Sequence, residues 1–169
     1  MKKLIILVIF CIASYRVSAQ YSAVRINTLA LAVGCLNVGV DTAVGKKTSI
    51  DISAIWSPLL NHSTAFSGGV RFWRFEPNVG WFLAANSTTS NFKIDNKKGW
   101  TTGLGCSLGY SWILSRRCNF TLEGGLGVYF LKDRWLVADT SPLDDIIIRH
   151  RERFMLLPSK LEASFSYLF

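Results

Sequence analysis

The chain has 169 residues, of which 50% are hydrophobic and 13% aromatic, and its formal net charge is +8. The basic residues are scattered rather than gathered into a stripe with interleaved aromatics, so we expect no nucleic-acid partner. Beyond the N-terminal region no run reaches the roughly 18 apolar residues of a spanning helix, and a membrane protein without one must close a sheet into a barrel.

The N-terminal residues have the pattern of a secretion signal. A basic pair, Lys2-Lys3, precedes an apolar stretch, Leu4–Ala13, and Val17-Ser18-Ala19 supplies the small residues that a signal peptidase needs. We therefore predict a cleaved signal peptide over residues 1–19 and one outer-membrane β-barrel domain over residues 20–169. Loss of the three basic residues of the signal reduces the net charge from +8 to +5.

Eight later segments alternate between apolar and small or polar residues, which is the pattern of amphipathic strands. The fifth is the least regular, because Trp81-Phe82-Leu83 is apolar on both faces. In chain order the segments are Val24–Asn27, Asn37–Val44, Ser49–Trp56, Gly69–Phe72, Val79–Asn86, Trp100–Leu114, Asn119–Phe130 and Leu161–Phe169.

The composition of the two faces predicts which one points inward. In the two clearest segments, which begin at Trp100 and Asn119, the polar face is mostly glycine, serine and threonine, and the other face is bulky and apolar. Small polar residues suit the narrow lumen of an eight-stranded barrel, and bulky apolar residues suit contact with lipid. The sequence thus predicts an all-β fold, a closed antiparallel eight-stranded up-and-down transmembrane β-barrel in the outer membrane, with outer-membrane lipid around it.

Charged residues on the inward faces are few and of both signs. Because an unpaired charge in a low-dielectric lumen is costly, we expect them to form ion pairs. A proton or ion path is the alternative, although eight strands are expected to leave a lumen filled by side chains. The residues are Arg25, Asp41, Asp51, Arg71, Glu123 and Glu162.

Four aromatic residues are predicted to form girdles at the edges of the apolar surface: Trp56, Trp100, Trp112 and Tyr167. Trp100 and Trp112 lie twelve residues apart on one face. At about 3.3 Å per residue and a tilt of about 40°, that is roughly 30 Å, so each could sit at one edge of an apolar band. The alternative is that they are ordinary half-buried core aromatics.

The connections between the segments are predicted to differ at the two ends of the barrel. One end has short turns, at 45–47, 76–78 and 115–118, whereas the other has longer connections. These cover 57–64, 87–99 and 133–159, with a short one at 34–36, and part of 133–159 is expected to extend the last two strands as a hairpin.

No residue constellation predicts catalysis or metal binding. Cleavage of the predicted signal peptide removes Cys11 and leaves three cysteines, Cys35, Cys106 and Cys118. An odd number excludes a fully paired disulfide framework, and their spacing fits no zinc motif. His62 and His150 lie in predicted loops, beside Ser63 and near Glu152, without an oxyanion motif. We expect no catalytic residue, metal or cofactor.

The chain ends on alternating aromatics, Phe165, Tyr167 and Phe169. They resemble the terminal signal by which outer-membrane barrels are recognised for assembly. A final amphipathic strand can pair with an edge of the barrel assembly machinery, which we expect to be a partner during biogenesis.

These features together resemble a known family, the small Bacteroidota outer-membrane barrels classed as domain of unknown function 3575. The likeness rests on 37–40, 109–117, 125–129 and 158–160. The architecture is also similar to the OmpA-type membrane domain. Because some members of the family are encoded beside genes for surface fimbriae, the resemblance implies a role in adhesion or surface assembly.

Three functional hypotheses remain open. The first is a non-enzymatic structural or surface-interaction protein with a surface or fimbrial partner. The second is an outer-membrane lipid-modifying enzyme, a lipid A hydrolase or acyltransferase that uses the histidines. The third is a secreted soluble β-barrel that binds a small ligand.

Overall fold

The computed structural model describes residues 22–58, 63–94, 97–137 and 147–169. The predicted signal peptide and His62 lie outside the described residues, as does the side chain of His150. Within these ranges no helix is both long enough and apolar enough to cross a membrane.

Eight antiparallel strands form one sheet, in which each strand pairs with the next. The first strand also pairs with the last, through Ala23–Asn27 and 164–168, so that the sheet closes on itself. The prediction of an all-β fold with eight up-and-down strands is confirmed. The elements are β1 (Ser22–Asn27), α1 (Thr28–Ala32), β2 (Leu36–Gly45), β3 (Thr48–Ser57), β4 (Ser63–Trp73), β5 (Gly80–Ile94), β6 (Lys97–Ile113), β7 (Cys118–Val137) and β8 (Ile147–Leu168).

The polarity of the sheet is the reverse of that of a water-soluble barrel. Leu104 on β6 is 71% exposed on the outer surface, whereas Ser107 on the same strand and Glu123 on β7 are 2% and 3% exposed. Leu108, Leu122 and Leu126 also point outward. Because successive side chains of a strand point to opposite faces, one register places all the bulky apolar positions outside.

The strands are much longer on one side of the ring than on the other. β1 to β4 have 6 to 11 residues, whereas β5 to β8 have 15 to 22. The prediction of loops over 87–99 and 133–159 was therefore wrong for most of their residues, which belong to these four strands. The run Ser87-Thr88-Thr89-Ser90 is polar on both faces and lacks alternation, but its threonines favour extended backbone. The expected extension of the last two strands agrees with the structure.

A short helix, α1, connects β1 to β2 and was not predicted. The Asn27 side chain accepts a hydrogen bond from the Ala30 amide at 3.2 Å and caps the start. Gly34, with φ of 77°, ends the helix, where the Cys35 amide bonds to the Ala30 carbonyl and the Gly34 amide to that of Leu31. This is a Schellman ending with glycine at the left-handed position.

The short turns lie together at the end of the barrel that also holds the C-terminus. They join β2 to β3, β4 to β5 and β6 to β7, and the Phe169 amide bonds to the Ser22 carbonyl there. We call this the turn end and the other the loop end. α1 and the last residues of β3, β5 and β7 lie at the loop end.

Candidate functional site

The lumen near the turn end is closed by a small apolar plug. Trp73 and Phe82 pack with ring centroids 4.5 Å apart, next to Ala84. The Trp73 indole donates a hydrogen bond to Ser49 Oγ at 2.8 Å. The plug explains the segment that is apolar on both faces, since Phe82 points inward while Trp81 and Leu83 point outward.

The six predicted inward charges meet in one cluster in the middle of the lumen. Arg71 contacts Asp41 and Glu123, each at 2.5 Å. Arg25 pairs with Asp51 and lies 3.3 Å from Glu162. We call these residues, together with Lys160, the charge cluster.

Lys160 is the member that sequence reasoning missed. Its Nζ bonds to Asp51 and lies 3.5 Å from Glu123 and 3.8 Å from Glu162. The available signal was its position two residues before inward-facing Glu162. The alternation breaks at a bulge beside it, where Ser159 has no register partner between Pro158 and Lys160, and both Ser159 and Lys160 are turned inward.

The charge cluster is nearly balanced and is tied to its surroundings by further contacts. It contains three cations and four carboxylates. Ser107 Oγ donates to Glu123 at 2.6 Å, and the Arg71 guanidinium lies 4.9 Å from the centre of the Phe82 ring. Such a cluster stays stable only while every charge keeps its partners, so it fixes which residues of the strands face each other.

Between the charge cluster and the loop end the lumen is not filled by side chains, unlike the sequence-based expectation. A cavity of about 580 Å³ lies there, which we call the upper cavity. Lys160 and Glu162 line one side, residues of α1 another, and Tyr129 a third. Its walls also carry hydroxyl and amide side chains from the other strands, among them Asn37, Ser53, Ser67, Thr88 and Thr101.

The outer surface carries an apolar belt bordered by aromatic contacts. At the turn end the aromatics form one continuous series with ring centroids 4.6 to 5.9 Å apart: Trp81, Tyr110, Trp112, Phe120 and Phe165. Toward the loop end, Phe130 lies 5.8 Å from Trp100 and 5.2 Å from Phe154. The belt is the outward surface between these two borders.

All four predicted girdle residues are on the outside and 39–48% exposed. Trp112 and Tyr167 lie near the turn end, and Trp56 and Trp100 lie toward the loop end. Tyr167 also accepts a hydrogen bond from Arg117 at 3.3 Å. The structure shows further aromatics at both borders that the girdle prediction left out, and their outward parity was the signal that could have found them.

The remaining predicted residues lie apart from the lumen contacts. Phe165, Tyr167 and Phe169 of the C-terminal signal are all exposed on the outside. Cys106 is exposed on the belt, and Cys35 donates to Ser57 Oγ at 3.2 Å. Within the part of the chain that the structure describes, no group of three or more histidine, cysteine or acidic side chains could hold a metal ion.

The fold and the lumen define a small up-and-down β-barrel with a polar, charge-paired interior and an apolar exterior. The chain belongs to the family described as Protein of unknown function (DUF3575), whose model matches residues 5–169. No curated protein and no solved structure matches the chain significantly.

Proposed function

We propose that the protein is a non-enzymatic outer-membrane barrel with a structural or surface-interaction role. The observation that carries the proposal is the reversed polarity of the sheet, with paired charges inside and leucines outside. In water this arrangement would expose a large apolar surface, which soluble monomers avoid. In a bilayer the same surface is the one that contacts lipid.

The height of the belt supports a membrane location. Ten residue steps separate Phe120 from Phe130 on β7. At about 3.3 Å per residue and a tilt of about 40° this is roughly 25 Å, the height of the apolar band of outer-membrane barrels. Just beyond Phe130, the outward-facing pair Lys132 and Glu152 forms an ion pair at 2.6 Å, where we place the polar headgroups.

An outer-membrane location assigns roles to both ends of the chain. Residues 1–19 act as the secretion signal, and the aromatic C-terminus guides assembly by the barrel assembly machinery. We further propose that the chain is one of the small Bacteroidota barrels, with an architecture similar to the OmpA-type membrane domain. The polar, internally paired centre of the lumen suits an anchor rather than an ion path.

Membrane insertion is tested by fractionation, gel mobility and one pair of arginine variants. We expect the protein in the outer-membrane fraction, with a mobility on SDS gels that shifts on boiling. Leu126→Arg, in the middle of the belt, should lower the free energy of unfolding in lipid vesicles by about 2–4 kcal/mol, because a charge there lies in hydrocarbon.

Leu114→Arg is the matched control, because both leucines are similarly exposed, at 61% and 58%, and Leu114 lies beside the turn after β6. Its cost should be about 0–1 kcal/mol, as expected near an interface. Equal costs for the two variants, or a folded wild-type monomer in detergent-free buffer, would contradict the membrane location and favour the soluble ligand-binding hypothesis.

We assign the contact with a surface or fimbrial partner to the part of β5 to β8 beyond the belt. On β7 and β8 this part begins after the Lys132–Glu152 pair, and these two residues face each other in the register. In the proposed placement this part lies outside the lipid, and the strands carry it away from the membrane. β7 and β8 have 20 and 22 residues, about twice the length of β2 to β4, so this part is much larger than an ordinary turn.

Replacing residues 133–151 with an Asn-Gly turn tests this assignment. Because Lys132 and Glu152 are already register partners, a two-residue turn can join them without disturbing the belt. We expect the shortened protein to keep its heat-modifiable mobility but to lose the adduct formed in whole cells by a photo-crosslinking residue in place of Lys93, a position on β5 beyond the level of Lys132.

The control exchanges the two charges, Lys132→Glu with Glu152→Lys, and keeps the full length. This variant should retain the adduct. An adduct that survives shortening would show that the extended strands are not the contact surface.

A further inference from the structure

The upper cavity has the size and position of a binding site. Its volume of about 580 Å³ falls within the range of small-molecule pockets, roughly 300–1,000 Å³. The charge cluster and the apolar plug close the lumen on the side of the turn end. We propose that this cavity holds the hydrocarbon chain of an amphiphile with a neutral polar group, which enters through the barrel wall between α1 and β8. The inference rests on the proposed membrane location.

Most polar groups that line the cavity are already paired with other protein groups. Thr88 donates to Ser67 Oγ at 3.2 Å, and Thr101 donates to the Phe130 carbonyl at 3.1 Å. Asn27 Oδ1 accepts from the Ala30 and Ala163 amides. These groups have little need of a ligand, so the surface left for one is mainly carbon, and apolar matter that displaces water from it is favoured.

Tyr129 provides the one fully buried polar side-chain atom of the lining that lacks a hydrogen-bond partner among the described residues. The residue is 3% exposed, and its hydroxyl makes no hydrogen bond there. Its ring lies against Gly103 and Gly127, where an added Cβ would come within 2.4 Å and 2.9 Å of ring atoms. The ring is thereby held in place, and a buried hydroxyl without a partner is costly. A ligand with one ester, hydroxyl or amide group would satisfy it.

The charges beside the cavity disfavour an anionic group inside it. Lys160 is the cation that lines the cavity, and it already contacts Asp51, Glu123 and Glu162. The cluster as a whole has four carboxylates against three cations. An added carboxylate or phosphate would therefore meet like charge in a low-dielectric environment. The polar group near Tyr129 is accordingly neutral.

The wall of the barrel offers an entrance at the level of the belt. β1 ends at Asn27, opposite Ser164 on β8, and from there α1 takes the place of a strand. Thr28 ties this joint to β8 by donating to the Ala163 carbonyl at 2.7 Å. Above the joint, the cavity is bordered by apolar side chains from both sides, namely Leu29, Val33, Leu157, Pro158 and Leu161.

The register places this border inside the belt rather than beyond it. Leu161 is opposite Gly124 and Leu157 is opposite Gly127 on β7, and both glycines lie between Phe120 and Phe130. Pro158 has no N–H group, so it leaves no unpaired donor at this open edge of β8. The proposed path of a hydrocarbon chain from the bilayer into the lumen thus runs between the apolar side chains of α1 and β8.

The test measures immobilised nitroxide probes on the refolded full chain by electron paramagnetic resonance. One arm uses vesicles that contain nitroxide-labelled phosphatidylcholine, and the other uses a nitroxide-labelled long-chain alcohol in detergent. Immobilisation in the first arm alone identifies a lipid acyl chain as the ligand, and immobilisation in the second alone identifies a free amphiphile. Either result supports the proposal, and the absence of an immobilised component in both arms overturns it.

Two variants on β5 separate the cavity from the belt. Ser90→Phe fills the cavity, since Ser90 is part of its lining, and should abolish the immobilised component. Ser87→Phe places the same ring on the exposed outer face and should leave it unchanged. Equal immobilisation in both variants would show that the probe merely coats the belt and would overturn the proposal.

A third variant, Tyr129→Phe, tests the ligand proposal if Ser90→Phe fails to fold. It keeps the ring and should weaken probe binding about fivefold, the effect of one lost hydrogen bond. Unchanged binding would contradict the assigned role of the hydroxyl. The gel mobility of the same samples without boiling reports membrane insertion. A protein that inserts but binds no probe would contradict the ligand proposal and leave the membrane location intact.

Discussion

Replacing Arg71 with methionine is expected to lower the free energy of unfolding by about 3–5 kcal/mol, the usual cost of removing one partner of a buried ion pair. Arg71 contacts Asp41 and Glu123 at 2.5 Å each and lies 3.8 Å from Asp51. Its loss leaves carboxylates without their cation inside the lumen, while methionine keeps most of the side-chain volume. Urea titration in lipid vesicles, followed by gel mobility, measures the change.

Arg74→Met is the matched control. Arg74 is exposed just after β4, and its guanidinium lies over the ring of its neighbour Phe75 rather than in the charge cluster. Its effect should stay within about 0.5 kcal/mol. Combining Arg71→Met with Glu123→Gln should cost less than the sum of the two single variants, since the second change removes one uncompensated charge. Strict additivity would show that the two residues do not act as a pair.

Substitution of Gly125 by alanine is expected to cost about 1–3 kcal/mol or to prevent closure of the barrel. A Cβ at this position would lie 2.5 Å from both the Cys106 carbonyl oxygen and the Ser107 Cβ. These contacts are to the neighbouring strand β6, and on the other side the bulge at Ser159 lies opposite the step from Gly125 to Leu126. The site therefore has little freedom to move. Unfolding in vesicles and the fraction of heat-modifiable protein report the effect.

The adjacent glycine provides a stringent control. An added Cβ at Gly124 meets no atom within 4 Å, because this residue faces outward. Gly124→Ala should be neutral or stabilising by about 0.4–1 kcal/mol through reduced freedom of the unfolded chain. If the two alanine variants behave alike, the assignment of one glycine to the lumen and the other to the outer surface is wrong.

The alternation of side chains was sufficient to predict the eight strands and the face of each that turns inward. It placed Arg25, Asp51 and Glu162 on that face, because successive side chains of a strand point to opposite faces whatever they contact. It missed Lys160, because the last predicted segment began one residue later, at Leu161, next to the bulge at Ser159 where the alternation stops. A bulge depends on how neighbouring strands fit and leaves only a faint local trace.

Other features depended on tertiary structure and could not be predicted from periodicity. α1 has five residues, fewer than two turns, so it shows no helical period. The strand extension through 87–94 has polar residues on both faces. The upper cavity is left open because Trp73, Phe82 and most of the charge cluster lie nearer the turn end, while the Tyr129 ring lies against Gly103 and Gly127. No single segment contains that information.

The brevity of β1 makes the ring unequal in strength around its circumference. Five register pairs join β1 to β8, whereas twenty join β7 to β8. Since backbone pairing supplies much of the cohesion between strands, we expect the β1–β8 pairs to separate before the β7–β8 pairs on warming. Backbone amide exchange should accordingly be fastest at the β1–β8 pairs.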